Sequence, residues 1–143
     1  MGDCVICARA GQRADVVYED EHWIVRHSGE TNIGGYVLIE ARRHFLDMSE
    51  ATREEAESYG RVLGAAMSAV REVMKPERVY TFSLAEAVPH YHLHVIPRKA
   101  DFPRAYRARG IMQYPLQPAV DPAIKDSICE RLRRAFRTAC TSR

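Results

Sequence analysis

His90-Tyr91-His92-Leu93-His94-Val95-Ile96 is the stretch that decides how this 143-residue chain is read. Three histidines alternate with apolar residues. In an extended strand successive side chains point to opposite faces, and residues two apart share a face, roughly 6.5–7 Å from one another. The alternation predicts a strand over about 91–97. His90, His92 and His94 then share one face, and Tyr91, Leu93 and Val95 turn to a core. A row of imidazoles is poor packing material, because each buried ring must find partners for its polar nitrogens. It is good material for holding a metal or for attacking a phosphate. The residues alone leave two chemistries open. Either three rings share one metal, or one ring is a nucleophile and its neighbours support it.

His-x-His-x-His with apolar residues between, followed by Pro97-Arg98, resembles the signature of the histidine triad (HIT) nucleotide hydrolases and transferases. The resemblance spans roughly residues 4 to 98. It implies an α+β, HIT-like fold with a mainly antiparallel sheet, one long central helix and a C-terminal helix, and it implies homodimers. By position in the motif it implies His92 as the nucleophile, His94 as the histidine that contacts phosphate and His90 as the supporting first histidine. Attack at an α-phosphate would give a nucleotidyl-histidine, from which water or another acceptor takes the nucleotide. A neutral imidazole suits this step, since it needs no deprotonation near pH 7. A proton held on one ring nitrogen leaves the lone pair of the other aimed at substrate. Arg98, close after the strand, is a candidate for neutralising phosphate charge. Arg42 and Arg43, beside His44, are weaker candidates.

Cys4-Val5-Ile6-Cys7 has the spacing of zinc ligands. A redox dithiol usually follows a strand of a βαβ unit, and no strand pattern precedes Cys4. Two thiolates need two more ligands to close a tetrahedron. Many HIT-family members, and related uridylyltransferases, place Cys-x-x-Cys before the fold. They complete the site with a histidine in the loop after a strand and with the first triad histidine. The resemblance thus implies a zinc site of Cys4, Cys7, His44 and His90. Such a closed site is structural, because no position is left for water. Two reduced cysteines on a free terminus are the alternative.

Two places depart from the family pattern. An aspartate that often holds the ribose hydroxyls corresponds, counting back from His44, to Ser28, with His27 adjacent. The Gly-Gln that commonly stands before the first histidine is Ala85-Glu86 here. Glutamine can donate to phosphate oxygens and an ionised glutamate cannot. The candidate substrate-contacting residues are therefore Arg98, Glu86, Ser28 and His27. A carboxylate at Glu86 would favour a leaving group with little negative charge, such as an amine.

The remaining sequence predicts one domain over 1–143, with a zinc-binding N-terminus at 1–10, a loop or arm at 98–120 and a helix at 121–140. Strands are expected at 16–18 and 23–25 around the turn Glu19-Asp20-Glu21, at 36–39 after Gly34-Gly35, and at 79–82. Thr52 and Glu55 have capping-box spacing at the head of a helix over 52–74. Its stripe, Tyr59, Val62, Leu63, Ala66, Met67, Val70, Val73 and Met74, reads as core packing. Pro103, Pro115 and Pro118 interrupt the arm, and Asp121-Pro122 opens the last helix. Ile124, Ile128, Leu132, Ala135 and Phe136 form that helix's apolar stripe. Cys129 and Cys140 lie in the same helical pattern, where they pack or sit exposed as free thiols.

A hydrophobic fraction of 46% and a charged fraction of 28% are ordinary for a globular protein. No run approaches the ~20 apolar residues of a membrane span. No basic region followed by an apolar stretch is visible at the start, so the chain reads as cytoplasmic with no membrane partner. Residues 98–143 hold 11 Lys and Arg against 4 Asp and Glu. Without interleaved aromatics for base stacking, this excess reads as a solvated helix face and not as a nucleic-acid site. Three functions remain: a nucleotide hydrolase or nucleotidyltransferase working through His92, a metallohydrolase with His90, His92 and His94 on one metal, and a non-catalytic nucleotide-binding protein.

Overall fold

The computed structural model describes residues 3–142. Met1, Gly2 and Arg143 lie outside the described residues, and with them the first two positions of the expected 1–10 segment. A short helix, α1 (Val5–Arg9), leads into the hairpin β1 (Val16–Glu19) and β2 (Trp23–His27). Asp20 builds the turn, its Oδ1 accepting the N–H of His22 and of Trp23, each at 2.8 Å. β3 (Val37–Ala41), the long α2 (Arg53–Met74), β4 (Arg78–Phe82), β5 (His92–Arg98) and α3 (Pro122–Ser142) follow. The fold is α+β and HIT-like: five antiparallel strands in the order β1-β2-β3-β5-β4, with a long helix and a C-terminal helix.

Local chemistry accounts for the helix ends. Thr52 accepts the Glu55 N–H at 3.1 Å at the head of α2, and Lys75 ends it in the left-handed region at φ 50. Asp121 accepts from Ala123 at 2.9 Å and from Ile124 at 3.3 Å at the head of α3. Both helices cover one face of the sheet. Val62, Ala66 and Val70 of α2 and Ile128, Leu132 and Phe136 of α3 are buried with Val25, Val37, Ile39, Leu93 and Val95. Each large apolar side chain so buried contributes about 1.5–3 kcal/mol. Trp23 closes one end of this core, its Nε1–H donating to Ser58 Oγ at 3.0 Å.

The structure departs from the expected elements in three places. β5 begins at His92, and His90 lies in the bend before it. Val5–Arg9 is helical, with Cys4 as its N-cap, and Arg9 docks on Glu40. Ile124 is exposed, so the buried stripe of α3 begins at Ile128. Residues 98–120 are an arm with 3-10 helices at Arg104–Tyr106 and Ala108–Gln113, anchored against the sheet. Cys129 is buried, and Cys140 packs against the same core. Among the described residues no helix is long and apolar enough to cross a membrane.

Candidate functional site

The free face of β5 carries His92 and His94, and its head carries His90. The three rings do not converge. His90 is fully buried and its Nε2 lies 2.7 Å from the Ala41 carbonyl oxygen. That nitrogen must carry the proton, which leaves the Nδ1 lone pair for another partner. Nδ1 faces Cys4 Sγ at 3.4 Å, Cys7 Sγ at 3.5 Å and His44 Nδ1 at 3.1 Å. Cys7 Sγ and His44 Nδ1 are 3.4 Å apart. The four donor atoms all lie within 4.8 Å of one another. A tetrahedron with zinc–sulfur bonds near 2.3 Å and zinc–nitrogen bonds near 2.05 Å has edges of about 3.3–3.8 Å. The donor set and its spacings thus fit a metal ion held by two thiolates and two imidazoles. The His90–Ala41 bond is the kind that orients a metal-bound imidazole.

α1 brings the two cysteines together, with Cys4 at its N-cap accepting the Cys7 N–H at 3.4 Å. The helix is held down by Glu40. This carboxylate is fully buried, receives Arg26 Nε at 3.0 Å and pairs with Arg9 of α1. Glu40 stands directly across the β3–β5 ladder from His92, but its oxygens are committed to the two arginines.

His92 is 9% exposed. Its Nδ1 lies 2.7 Å from the His90 carbonyl oxygen, so Nδ1 donates and the Nε2 lone pair is free. His94 is arranged in the opposite sense. Burial, with His92 adding to it, pushes its imidazole down to about 4. Burial pushes the Tyr36 hydroxyl up to about 12, so it keeps its proton and donates to His94 Nδ1 at 2.8 Å. The proton on His94 then sits on Nε2, as a donor. Phe82 stacks on the His94 ring with centroids 4.5 Å apart, and the His92 and His94 rings are 5.0 Å apart.

Both rings open into a cleft of about 590 Å³. Its walls come from Ile33 and Tyr36, from Phe82 and the segment after it, and from the arm at 111–116. Glu86 lies on this cleft. The preceding Ala85 adopts φ 55, the left-handed region where a glycine sits without strain.

The other residues singled out in the sequence lie elsewhere. Arg98 follows His94 and Ile96 on the same face, but its guanidinium is ion-paired with Glu77 and donates from Nε to Tyr80 Oη at 3.3 Å. It does not line the cleft. His27 is buried with both nitrogens taken within its own turn: Nδ1 donates to the Ser28 carbonyl at 2.8 Å, and Nε2 accepts the Gly35 N–H at 2.9 Å. Gly35, at φ 85, makes that approach possible. The Ser28 hydroxyl accepts from the Glu30 N–H at 3.3 Å, outside the cleft. Arg43 is tied to Glu55 at 2.8 Å and Arg42 to Glu19 at 3.5 Å. Two residues not anticipated are Tyr36 and Glu40. Strand pairing is the signal that finds them, because Leu38 pairs with His94 and Glu40 with His92.

An α+β fold with an antiparallel five-stranded sheet and a histidine-lined cleft at its fourth strand defines the class. The HIT domain model matches residues 9–101, and the chain belongs to the HIT domain family. Protein hit of Bacillus subtilis (strain 168) is 30% identical over 87 residues, 57% of this chain. The match spans 60% of the length of that relative. A hypothetical histidine triad nucleotide-binding protein from Sulfolobus tokodaii strain7 superposes with a TM-score of 0.74 at 16% identity, over 94% of this chain and 93% of that one. A Zn-bound histidine triad family protein from Mycobacterium smegmatis superposes at 0.70 with 21% identity, over 99% of both chains. At these identities the two structures speak for the fold.

Proposed function

We propose that this protein is a nucleotide hydrolase or nucleotidyltransferase that acts at an α-phosphate through a covalent nucleotidyl-histidine on His92. The observation that carries the reading is the 2.7 Å bond from His92 Nδ1 to the His90 carbonyl, which leaves Nε2 as a fixed lone pair at the cleft. Nε2 attacks phosphorus, the bond to the leaving group breaks, and the leaving group departs with the electron pair and takes up a proton. Water or another acceptor then attacks the same phosphorus, and the P–Nε2 pair returns to the ring. The Nδ1–H bond to the carbonyl stabilises the cationic ring of the intermediate. His94, with Nε2–H turned outward by Tyr36, donates to a phosphate oxygen as charge develops. Family membership and the nucleotide-binding description of the Sulfolobus protein support a nucleotide as substrate.

A reading with all three histidines on one metal is disfavoured by geometry, since His90 Nδ1 faces the two thiols and His92 Nδ1 is held by a carbonyl. The second part of the proposal is a structural zinc held by Cys4, Cys7, His44 and His90, which the Zn-bound Mycobacterium smegmatis relative supports. A bound zinc would cross-link the N-terminal helix to the head of β5 and fix the carbonyl that orients His92. The test is turnover of adenosine and guanosine phosphoramidates, dinucleoside polyphosphates and nucleotide sugars by wild type and His92→Ala. Turnover of at least one class, lost by several orders of magnitude in His92→Ala with the fold and nucleotide binding kept, is expected. Near-normal turnover in His92→Ala contradicts it.

A further inference from the structure

Residues 40–44, where β3 runs out into its loop, hold or supply every member of the thiol–imidazole cluster. His44 is a member itself. The Ala41 carbonyl accepts from His90 Nε2 at 2.7 Å and aims that ring. Glu40, beside Ala41, reaches the two cysteines indirectly, through its ion pair with Arg9 at the end of α1. One end of one strand thus orients an imidazole through its backbone and the thiols through a buried ion pair.

α1 has little else to hold it. It is 5 residues long, far below the ~12–15 at which an isolated helix is even marginal in water. Ile6 is its one buried residue. Arg26 of β2 adds the remaining grip. It donates from Nε to Glu40 at 3.0 Å, from Nη2 to the Arg9 carbonyl at 3.3 Å and from Nη1 to the Ala14 carbonyl at 3.4 Å. Arg26 therefore holds both the end of α1 and the chain that leads away from it.

Glu40 has no exposed surface and Arg26 is 5% exposed, so both ions are taken out of water. Arg9 Nε is buried with no hydrogen-bond partner. A buried ion pair of this kind adds little net stability over apolar packing, because desolvating the charges offsets their attraction. What it adds is direction. Glu40 accepts Arg26 on one oxygen and Arg9 on the other, which holds each guanidinium at a set distance and angle. Apolar contact at Ile6 alone is non-directional and would let α1 slide. A slide of one residue, ~1.5 Å along the helix axis, would carry Cys4 and Cys7 out of register with His44 and His90. The donor atoms of the four all lie within 4.8 Å of one another, which leaves no room for such a shift.

We infer that the Arg9–Glu40–Arg26 triad is a positioning device for the metal site: it docks α1 so that Cys4 and Cys7 meet His44 and His90, and it thereby sets the affinity of the site for zinc. The inference rests on the reading of that cluster as a structural zinc site. A metal that binds only the docked arrangement binds more weakly in proportion as that arrangement is less populated. Loss of the triad therefore weakens metal binding without touching a ligand atom. The same undocking lays the two thiols open to solvent. Cys129 of α3, 1% exposed in the core, stays shielded, so it reports unfolding of the whole and not of α1.

The test is zinc affinity, by competition with a chelator of known affinity, in wild type, Arg9→Met and Arg9→Lys. It is joined to the alkylation rate of each cysteine in chelator-treated protein, read by peptide mapping. Glu40→Gln leaves two arginines without their carboxylate and can fail to fold, so Arg9 is the position to change. Its side chain is 32% exposed, and methionine puts an unbranched apolar chain in its place. Arg9→Met should bind zinc more weakly by about tenfold or more. Cys4 and Cys7 should be alkylated faster by a larger factor, since they start from a mostly docked helix, with Cys129 unchanged. Arg9→Lys, which keeps the charge, should recover most of the lost affinity. Zinc affinity in Arg9→Met within about threefold of wild type would overturn the triad's role and leave the zinc site standing. A parallel rise at Cys129 would overturn it too, because the triad would then stabilise the whole fold and not the site. A wild type that binds no zinc would overturn both.

Discussion

His90 and His92 stand two residues apart in one motif, and the fold uses them in opposite ways. At the thiol end His90 has no exposed surface. One nitrogen is bonded to the Ala41 carbonyl and the other is turned into a cluster of two cysteines and His44. At the cleft end His92 ties one nitrogen to the backbone and leaves the other to a cavity of about 590 Å³. On the proposed reading the same side chain would be a cross-link in one place and a reagent in the other. What separates the roles is the acceptor each ring finds. The two are also joined, because the acceptor that orients His92 is the carbonyl of His90. On that reading a metal held at the thiol end would steady the cleft end through one peptide unit.

Removing the cross-link should break the thiol end most strongly. Purified protein is expected to carry close to one zinc per chain, and Cys4→Ser or Cys7→Ser should lose it. Binding of the metal to the folded state alone stabilises that state by mass action, so both variants should melt at lower temperature. Metal analysis with thermal unfolding checks this. Metal-free protein with unchanged melting in both variants would remove the contrast between the two ends.

The cleft end makes its own prediction in pH. Burial, with His92 adding to it, holds His94 down to about 4, against about 6.5 for a free imidazole. The unfolded chain then takes up the proton first as pH falls, so stability is full above about pH 6.5 and is lost on the way down to about pH 4. The loss from His94 is at most about 3 kcal/mol. Tyr36, His92, Glu86 and Tyr114 are the titratable groups that share its cleft, and the Tyr36 hydroxyl keeps its proton throughout this range. Denaturant unfolding at pH 7.5 and pH 5 should show a shallower fall in His94→Asn than in wild type. His27, also lowered by burial, adds to the fall in both proteins. Equal slopes would mean that His94 is not a buried neutral ring.

Tyr36→Phe sharpens the division of labour inside the cleft. It removes a neutral hydrogen bond worth about 1 kcal/mol and frees His94 to flip or change tautomer. Turnover should fall about tenfold in kcat with KM little changed, and melting should stay close to wild type. A rise in KM alone would make Tyr36 a binding residue and not an orienting one. The smallest effect is expected at Arg98. Its guanidinium belongs to Glu77 and Tyr80, so Arg98→Gln should leave KM for nucleotide within about twofold while lowering stability. A large rise in KM would bring Arg98 back to the phosphate.

The strand, the long helix and its cap, the hairpin and the order of elements were legible in the sequence, because each rests on short-range periodicity or on a capping side chain. The cysteine spacing and the histidine alternation pointed to the thiol cluster and to the cleft at the head of β5, because metal-ligating and nucleophilic side chains are of few residue types. Pairing across the sheet was harder to see. Tyr36 reaches His94, and Glu40 comes to stand across from His92, through the β3–β5 pairing, which no local pattern reports. Arg98 and His27 misled because a residue type near a motif says nothing of its partner. Glu77, 21 positions from Arg98, and Gly35, 8 from His27, took their polar atoms. The arm at 98–120 gave only prolines to the eye, and its place over the cleft follows from contacts of Tyr80 and Thr31 made far along the chain.

The most direct test of the account is the intact mass of the protein during turnover of a nucleoside phosphoramidate, quenched in milliseconds without acid and followed by peptide mapping. A gain equal to one nucleoside monophosphate, carried by the peptide containing His92 and absent in His92→Ala, is the predicted result. Turnover at full rate with no such species at any time, or with the nucleotide on another residue, would contradict the account.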